Sequence, residues 1–213
     1  MLNGYGLTET SPVLSAENDK YKKPGSVAFP MPGMQIKIDN PDEKGVGEIC
    51  AKGPCVMLGY YNNEEATNDV LKNGWFHTGD LGYYDKDGYL FIAGRKKNVI
   101  VLKNGKNIFP EELEIIISKL PFVLENMVYA RTTKDNDIIV AVKIVYSKET
   151  MESLYPDKKQ EDYYDIIWQE IKKINKTLPT YKYIKHLIIT EEPMIKTTTQ
   201  KIKRHEEIKK IIT

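Results

Sequence analysis

Thr8 and Glu9 in NGYGLTETSP, Asp80 in HTGD, Arg95 in AGRKK and Lys201 in KTTTQKIKR carry groups suited to a phosphate ester and a hard cation. Gly4 and Gly6 flank Tyr5, so the backbone there can approach a ligand closely, and the tyrosine ring can stack on a purine. The Thr8 hydroxyl can donate to a phosphate oxygen, and Glu9 can hold Mg2+ through a carboxylate oxygen. Asp80 is suited to accept from both hydroxyls of a ribose, and Arg95 can reach the same sugar or the phosphate. Each residue also has a plainer reading. These are a Gly-rich turn with a capping Thr, a turn-capping Asp, a surface ion pair, and a lysine solvated like its neighbours Lys196, Lys203 and Arg204. The strings occurring together in one order, with sensible separations, favour the chemical reading.

The elements that position these residues change character along the chain. VAFPMPGMQIKI, GEICAKG and GYYDKDGYLFIAG alternate apolar and polar residues between Gly, Pro and Asp-Gly turns, which predicts short strands in a small distorted barrel or folded sheet. DKDG at residues 85–88 marks a hairpin. NEEATNDVL (63–71) is the one helix expected before residue 94, with an asparagine start and early acids. After GRKKNVIVLKNGKNIFP, helical spacing is expected at 110–120, 162–178 and 204–213, and strands at 127–130, 137–146 and 183–190. Ile166, Ile167, Ile171 and Ile174 fall on one face of the 162–178 segment. The expectation is an α+β chain: a β-rich part over residues 1–96 and a small α+β domain over 97–213.

Together these strings, which span essentially the whole chain, resemble the adenylate-forming superfamily of acyl-CoA synthetases, luciferases and peptide-synthetase adenylation domains. The resemblance implies that Asn3 and Gly4 line an adenine pocket, Tyr5 stacks on the base and Thr8 touches the α-phosphate. It implies that Glu9 binds Mg2+ and that Asp80 and Arg95 hold the ribose of ATP or AMP. Lys201 corresponds to the catalytic lysine, although Gln200 stands where the commoner form has Gly. Lys97 matches the hinge about which the small domain turns. Asn104 and Gly105 in KNGKN would line the tunnel for the pantetheine arm of coenzyme A; Gly105 also reads simply as a turn glycine. His77 reads as a packing or hydrogen-bonding residue, because adenylation of an ionised carboxylate needs no general base.

Ten positions separate Arg95 from Gly105, and this longer form with KTTTQKIKR resembles long-chain fatty acyl-CoA synthetases. The implied reaction joins a fatty acid to AMP and then to coenzyme A. A triphosphate-binding loop is expected upstream of NGYGLTE, so the chain reads as the C-terminal portion of an enzyme, with the N-terminal portion as its partner. The alternatives are an adenylation unit for another acid, an oxygenase of the luciferase type, and a catalytically silent chain that folds and binds AMP or coenzyme A.

A formal net charge of +1 argues against a polyanion-binding surface, and no aromatic residues interleave the C-terminal lysines, which argues against nucleic acid. Cys50 and Cys55 are spaced wrongly for a paired metal knuckle and read as reduced structural thiols of a cytoplasmic protein. Peripheral membrane contact by the parent enzyme is compatible with this reading.

Overall fold

Alternating apolar residues between turn signals give the first 97 residues two sheets. In the computed structural model, which describes residues 2–212, the chain divides into two units between Lys97 and Asn98. In the first unit, β1 (Gly4–Tyr5) pairs with β2 (Ser15–Ala16), and β2 with β3 (Phe29–Pro30), all antiparallel. A single 3-10 turn, Thr8–Thr10, separates β1 from β2. The second sheet is also antiparallel. It contains β4 (Gln35–Asp39), β5 (Gly47–Lys52), β6 (Leu71–Lys72), β7 (Trp75–Tyr84) and β8 (Leu90–Arg95). β5 lies between β4 and β7, while β6 and β8 pair with successive stretches of β7. The two sheets are joined by an antiparallel bridge between Ser26 and Phe91, with the Val27 N–H donating to the Leu90 carbonyl at 2.9 Å and the Leu90 N–H to the Ala28 carbonyl at 3.0 Å. α1 (Glu64–Val70) starts where Asn63 accepts the Ala66 N–H at 3.0 Å, and Leu71, expected to end this helix, instead begins β6 opposite Phe76.

β7 carries the informative pattern. Phe76, Thr78, Asp80 and Gly82 alternate as its buried positions, so period-two geometry turns a threonine and an aspartate toward the interior. The apolar neighbours on that side include Ile49, Leu90 and Val27.

The second unit opens with the hairpin of β9 (Ile100–Val101) and β10 (Asn107–Ile108), followed by α2 (Pro110–Ile117), whose first position is a proline. β11 (Val123–Thr132), β12 (Ile138–Tyr146) and β13 (Ile184–Thr190) form one sheet with β12 central, antiparallel to β11 and parallel to β13. The parallel pair requires a long crossover, and α3 (Lys148–Leu154) and α4 (Tyr163–Lys176) supply it. α5 (Arg204–Ile212) ends the described chain; Thr213, the last residue of the expected terminal helix, lies outside it.

Both faces of β12 are covered, which explains its nearly unbroken apolar sequence. Val140, Val142 and Ile144 join Ile167 and Ile171 of α4 in the main core, with Leu113 and Ile117 of α2. Ala141 and Val145 face a smaller cluster with Met127, Tyr129 and Met194, against which Ile208 and Ile211 of α5 pack. No helix among the described residues is long and apolar enough to cross a membrane.

The main core sets a stability expectation. Ile171 is fully buried, so Ile171→Ala should cost about 2–5 kcal/mol through lost burial and a residual cavity. Ile115 of α2 is exposed, and Ile115→Ala should stay within about 0.5 kcal/mol. Urea unfolding followed by circular dichroism measures both; equal effects would remove Ile171 from the core.

Candidate functional site

Cross-strand register sets Arg95 directly opposite Asp80. Arg95 Nε lies 2.7 Å from Asp80 Oδ1, and the Tyr5 hydroxyl donates to Oδ2 at 2.8 Å. The Asp80 side chain is only 5 % exposed, against 42 % for Arg95, so the acid is held inside and the cation at the rim. Thr78 Oγ1 accepts the Asp80 N–H at 3.1 Å and donates to the Ile49 carbonyl at 2.8 Å, which fixes the backbone beneath the acid. Burial, reinforced by the adjacent Asp80 charge, pushes the Tyr5 phenol well above its usual range, so Tyr5 acts as a neutral donor.

A second carboxylate braces the same strands. Glu48 Oε1 accepts the Gly79 N–H at 3.2 Å, while Oε2 lies 3.1 Å from His77 Nδ1 and 2.9 Å from Lys96 Nζ. Burial alone would raise its pKa; the hydrogen bonds from Lys96 and His77 outweigh that and hold it below the ordinary value. Glu48 thus grips the residue before Asp80 and the residue after Arg95.

The NGYGLTE segment is shaped by two small residues. A Cβ on Gly6 would lie 1.7 Å from the Pro12 carbonyl oxygen, so the chain can turn there only with glycine. The buried Thr10 hydroxyl accepts the Leu7 N–H at 3.0 Å and donates to the Leu7 carbonyl at 2.9 Å, closing the turn. Thr8 is left exposed, and Glu9 Oε1 accepts from the Tyr60 hydroxyl at 2.9 Å. Asn3 and Gly4 are exposed too, with the Asn3 N–H bound to Glu17 Oε2 at 2.9 Å.

In the second unit, Lys201 stands exposed at the end of a tight turn. The Thr197 N–H donates to the Lys201 carbonyl at 2.8 Å, and the Gln200 N–H to the Thr197 carbonyl at 3.0 Å. The Lys201 N–H donates to Thr197 Oγ1 at 3.1 Å. Carboxylates hold both ends of this turn. Glu207 Oε1 accepts the Ile195 N–H at 2.7 Å and Oε2 accepts from Lys143 Nζ at 2.7 Å. Glu125 takes the Met194 N–H at 2.9 Å and Lys196 Nζ at 2.6 Å. Arg204 makes a forked contact with Glu114 at 2.5 and 2.6 Å and donates to the Val128 carbonyl at 3.0 Å.

Lys97 is exposed in the 3-10 turn Lys96–Asn98. Asn104 and Gly105 form the exposed tip of the β9–β10 hairpin, where Asn104 Oδ1 accepts the Lys106 N–H at 3.1 Å. Gly105 has φ +76, the left-handed region that favours glycine, and a Cβ there would meet nothing within 4 Å. The turn alone therefore accounts for the glycine within this unit.

Residues 1–61 match the AMP-binding enzyme family, and residues 97–211 match the AMP-binding enzyme C-terminal domain. The chain belongs to the AMP-binding enzymes. A long-chain-fatty-acid–CoA ligase of Escherichia coli O6:H1 is 41 % identical over 131 residues, covering 59 % of this chain and 23 % of that protein. A probable 4-coumarate–CoA ligase 2 of Dictyostelium discoideum is 45 % identical over 141 residues, 62 % of this chain and 25 % of that protein. The matches thus span only about a quarter of these relatives. The o-succinylbenzoate CoA synthetase of Bacillus subtilis, solved with its acyl-adenylate intermediate, superposes with TM-score 0.78 at 28 % identity, over 97 % of this chain and 40 % of that one. The same AMP-binding enzyme has been solved with AMP and with ATP and a magnesium ion.

Among the residues singled out in this member of the AMP-binding enzymes, Tyr5, Asp80 and Arg95 meet within hydrogen-bonding distance. Thr8 and Glu9 share a turn in the first unit, and Lys201 and the 104–105 tip lie on separate loops of the second. Glu48, Tyr60, Glu114 and Glu207 lie outside the motifs. Only Glu48 had a local signal, a carboxylate inside an otherwise apolar strand GEIC.

Lys143 and Glu207, 8 % and 0 % exposed, generate a prediction. Burial would raise the Glu207 pKa, but the bonds from Lys143 and the Ile195 N–H hold it below the ordinary 4.5. A depressed folded pKa contributes stability in full above pH 4.5, lost as pH falls through the folded value. Glu207→Gln should flatten that part of the unfolding-energy profile. Lys143→Met, which strands a buried carboxylate, should cost about 3–5 kcal/mol. A profile unchanged by Glu207→Gln would show that other acids set the slope.

Proposed function

We propose that this chain supplies the ribose-holding strands and the lysine-bearing domain of an ATP-dependent acid–CoA ligase whose acid is a long-chain fatty acid. The observation that carries the reading is Asp80, a buried acid fixed between Arg95 and Tyr5, each of the three contributed by a different string. The B. subtilis relative solved with an acyl-adenylate and the E. coli relative named for long-chain fatty acids support it.

In this reading a carboxylate oxygen attacks the α-phosphorus of ATP, the bond to pyrophosphate breaks, and an acyl-adenylate forms. The thiolate of coenzyme A then attacks the acyl carbon and AMP leaves. Asp80 and Arg95 hold the ribose, Tyr5 stacks on the base beside Asn3 and Gly4, and Thr8 donates to the α-phosphate. The Glu9 carboxylate, next in the chain to Thr8 and accepting from the Tyr60 hydroxyl, is a hard-oxygen donor that suits Mg2+, an ion that typically takes one or two carboxylates plus phosphate oxygens. When bound, that ion neutralises phosphate charge. Lys201 offsets the repulsion between the two reacting anions: at ~4 Å and an effective dielectric near 20, one charge pair is worth ~4 kcal/mol. Lys97 acts as the hinge, and Asn104 and Gly105 line the pantetheine passage. Turnover requires the portion of the relatives that lies outside the match.

An aryl acid is the second reading, favoured by the 45 % identity to a probable 4-coumarate–CoA ligase. Pyrophosphate release with palmitate and with 4-coumarate, measured on the chain joined to its upstream gene region, separates the two. Preference for palmitate is expected; preference for 4-coumarate would overturn the long-chain assignment. Lys201→Ala should slow acyl-adenylate formation by roughly 100- to 1,000-fold and spare thioester formation from supplied adenylate. Equal losses in both steps would remove Lys201 from the first. Asp80→Asn should raise the KM for ATP; an unchanged KM would exclude it from the ribose site.

A further inference from the structure

On the second sheet's other face, opposite Ile36, Ile38, Ile49 and Asp80, three different metal-binding groups converge. Lys37 pairs with Cys50 and Cys50 with His77 across β4, β5 and β7, and Asp39 follows two residues along on the same face. Cys50 Sγ lies 3.3 Å from His77 Nδ1, and Asp39, Cys50 and His77 each offer a ligand atom within 4.8 Å of the others. Glu48 Oε2 stands 3.1 Å from His77 Nδ1. We infer that Asp39, Cys50 and His77 form a binding site for a transition-metal dication of the zinc class.

The chemistry of the set selects the ion. A thiolate and an imidazole with one carboxylate suit zinc, or cobalt as its probe, whereas magnesium and calcium prefer all-oxygen shells. The spacing is also suitable. Zinc–sulfur and zinc–nitrogen bonds at tetrahedral angles put the two donor atoms roughly 3.4–3.6 Å apart, close to the 3.3 Å between Cys50 and His77. Asp39, on edge strand β4, closes the third corner by a small side-chain movement, and Glu48 or a water would supply the fourth. Three adjacent strands supply the ligands, so the framework that holds them is already built.

Two lysines stand against the site. Lys37 Nζ is 3.1 Å from Asp39 Oδ1 in a half-exposed pair, and such pairs contribute little, so the dication displaces it at small cost. Lys96 holds Glu48 at 2.9 Å and the Gly79 N–H donates to its other oxygen, so Glu48 keeps partners when the ion takes the place of its contact with His77 Nδ1 and is not a required ligand. Burial and the Glu48 and Asp39 charges push the metal-free Cys50 thiol up to about 11. Binding therefore forms the sulfur–metal bond as the S–H bond breaks, and the proton passes to solvent.

Cobalt(II) titration of the 213-residue chain tests this site. One equivalent should produce a thiolate-to-cobalt charge-transfer absorption with tetrahedral d–d bands, bleached by zinc. Cys50→Ser should abolish the charge-transfer band, Asp39→Asn should weaken cobalt binding at least tenfold, and Cys55→Ser should leave both unchanged. Asp39→Asn, at a partly exposed edge position, keeps the test decisive if Cys50→Ser fails to fold. Absence of the band at any cobalt concentration, its survival in Cys50→Ser, its loss in Cys55→Ser, or unweakened binding in Asp39→Asn would overturn the inference.

Discussion

Asp80 is a carboxylate at a strand position that alternation turns toward the interior. Such a group is costly to bury unless charge and hydrogen bonds compensate it, and the penalty after relaxation is still several kcal/mol. The first unit meets that demand from two directions. Arg95 comes from the neighbouring strand at the same register, and Tyr5 comes from the other sheet, 75 residues away. The compensation therefore also fastens the two sheets to each other. It yields an acid held in one orientation by its two partners.

The second unit uses the same device for another end. Glu207, Glu125 and Glu114 each accept a backbone N–H and a side-chain cation together. Their partners lie just before the Thr197–Lys201 turn, just after it, or on the strands beneath it. A carboxylate held by several donors has few alternative geometries, so the turn's ends are fixed while the Lys201 side chain stays exposed. Glu207 and Lys143 also introduce a charged pair into the layer between α5 and β12, where Ile208, Ile211 and Met194 would otherwise suffice. Buried pairs of this sort do little for net stability compared with apolar packing and are better understood as fixing one arrangement.

Gln200 shows how a departure from a family pattern is absorbed. Its φ of +62 lies in the left-handed region, where a side chain costs about 1–2 kcal/mol relative to the right-handed form. Glycine would avoid that cost. Hydrogen bonds from Thr197 to Lys201 and from Gln200 to Thr197 hold the turn closed regardless. The side chain at 200 thus changes the energy of the turn while Lys201 stays at its end.

Much of the fold was legible because its signals are local. The DKDG hairpin, the Asn63 cap and the Pro110 helix start each depend on a few consecutive residues. The ordered motifs likewise marked Tyr5, Asp80, Arg95 and Lys201, and with them the family. Short elements escaped: α3 has seven residues, and β6 has two whose pairing depends on Phe76 and Trp75. The carboxylates that brace the sites, Glu48, Glu114 and Glu207, resembled any surface acid until strand register and helix docking supplied their partners. By itself the sequence determined the element types and the residues able to do chemistry, because periodicity and motif spacing are properties of neighbours along the chain. Only the tertiary structure decided which acid meets which donor, since burial and hydrogen bonding depend on groups brought together from dozens of residues apart.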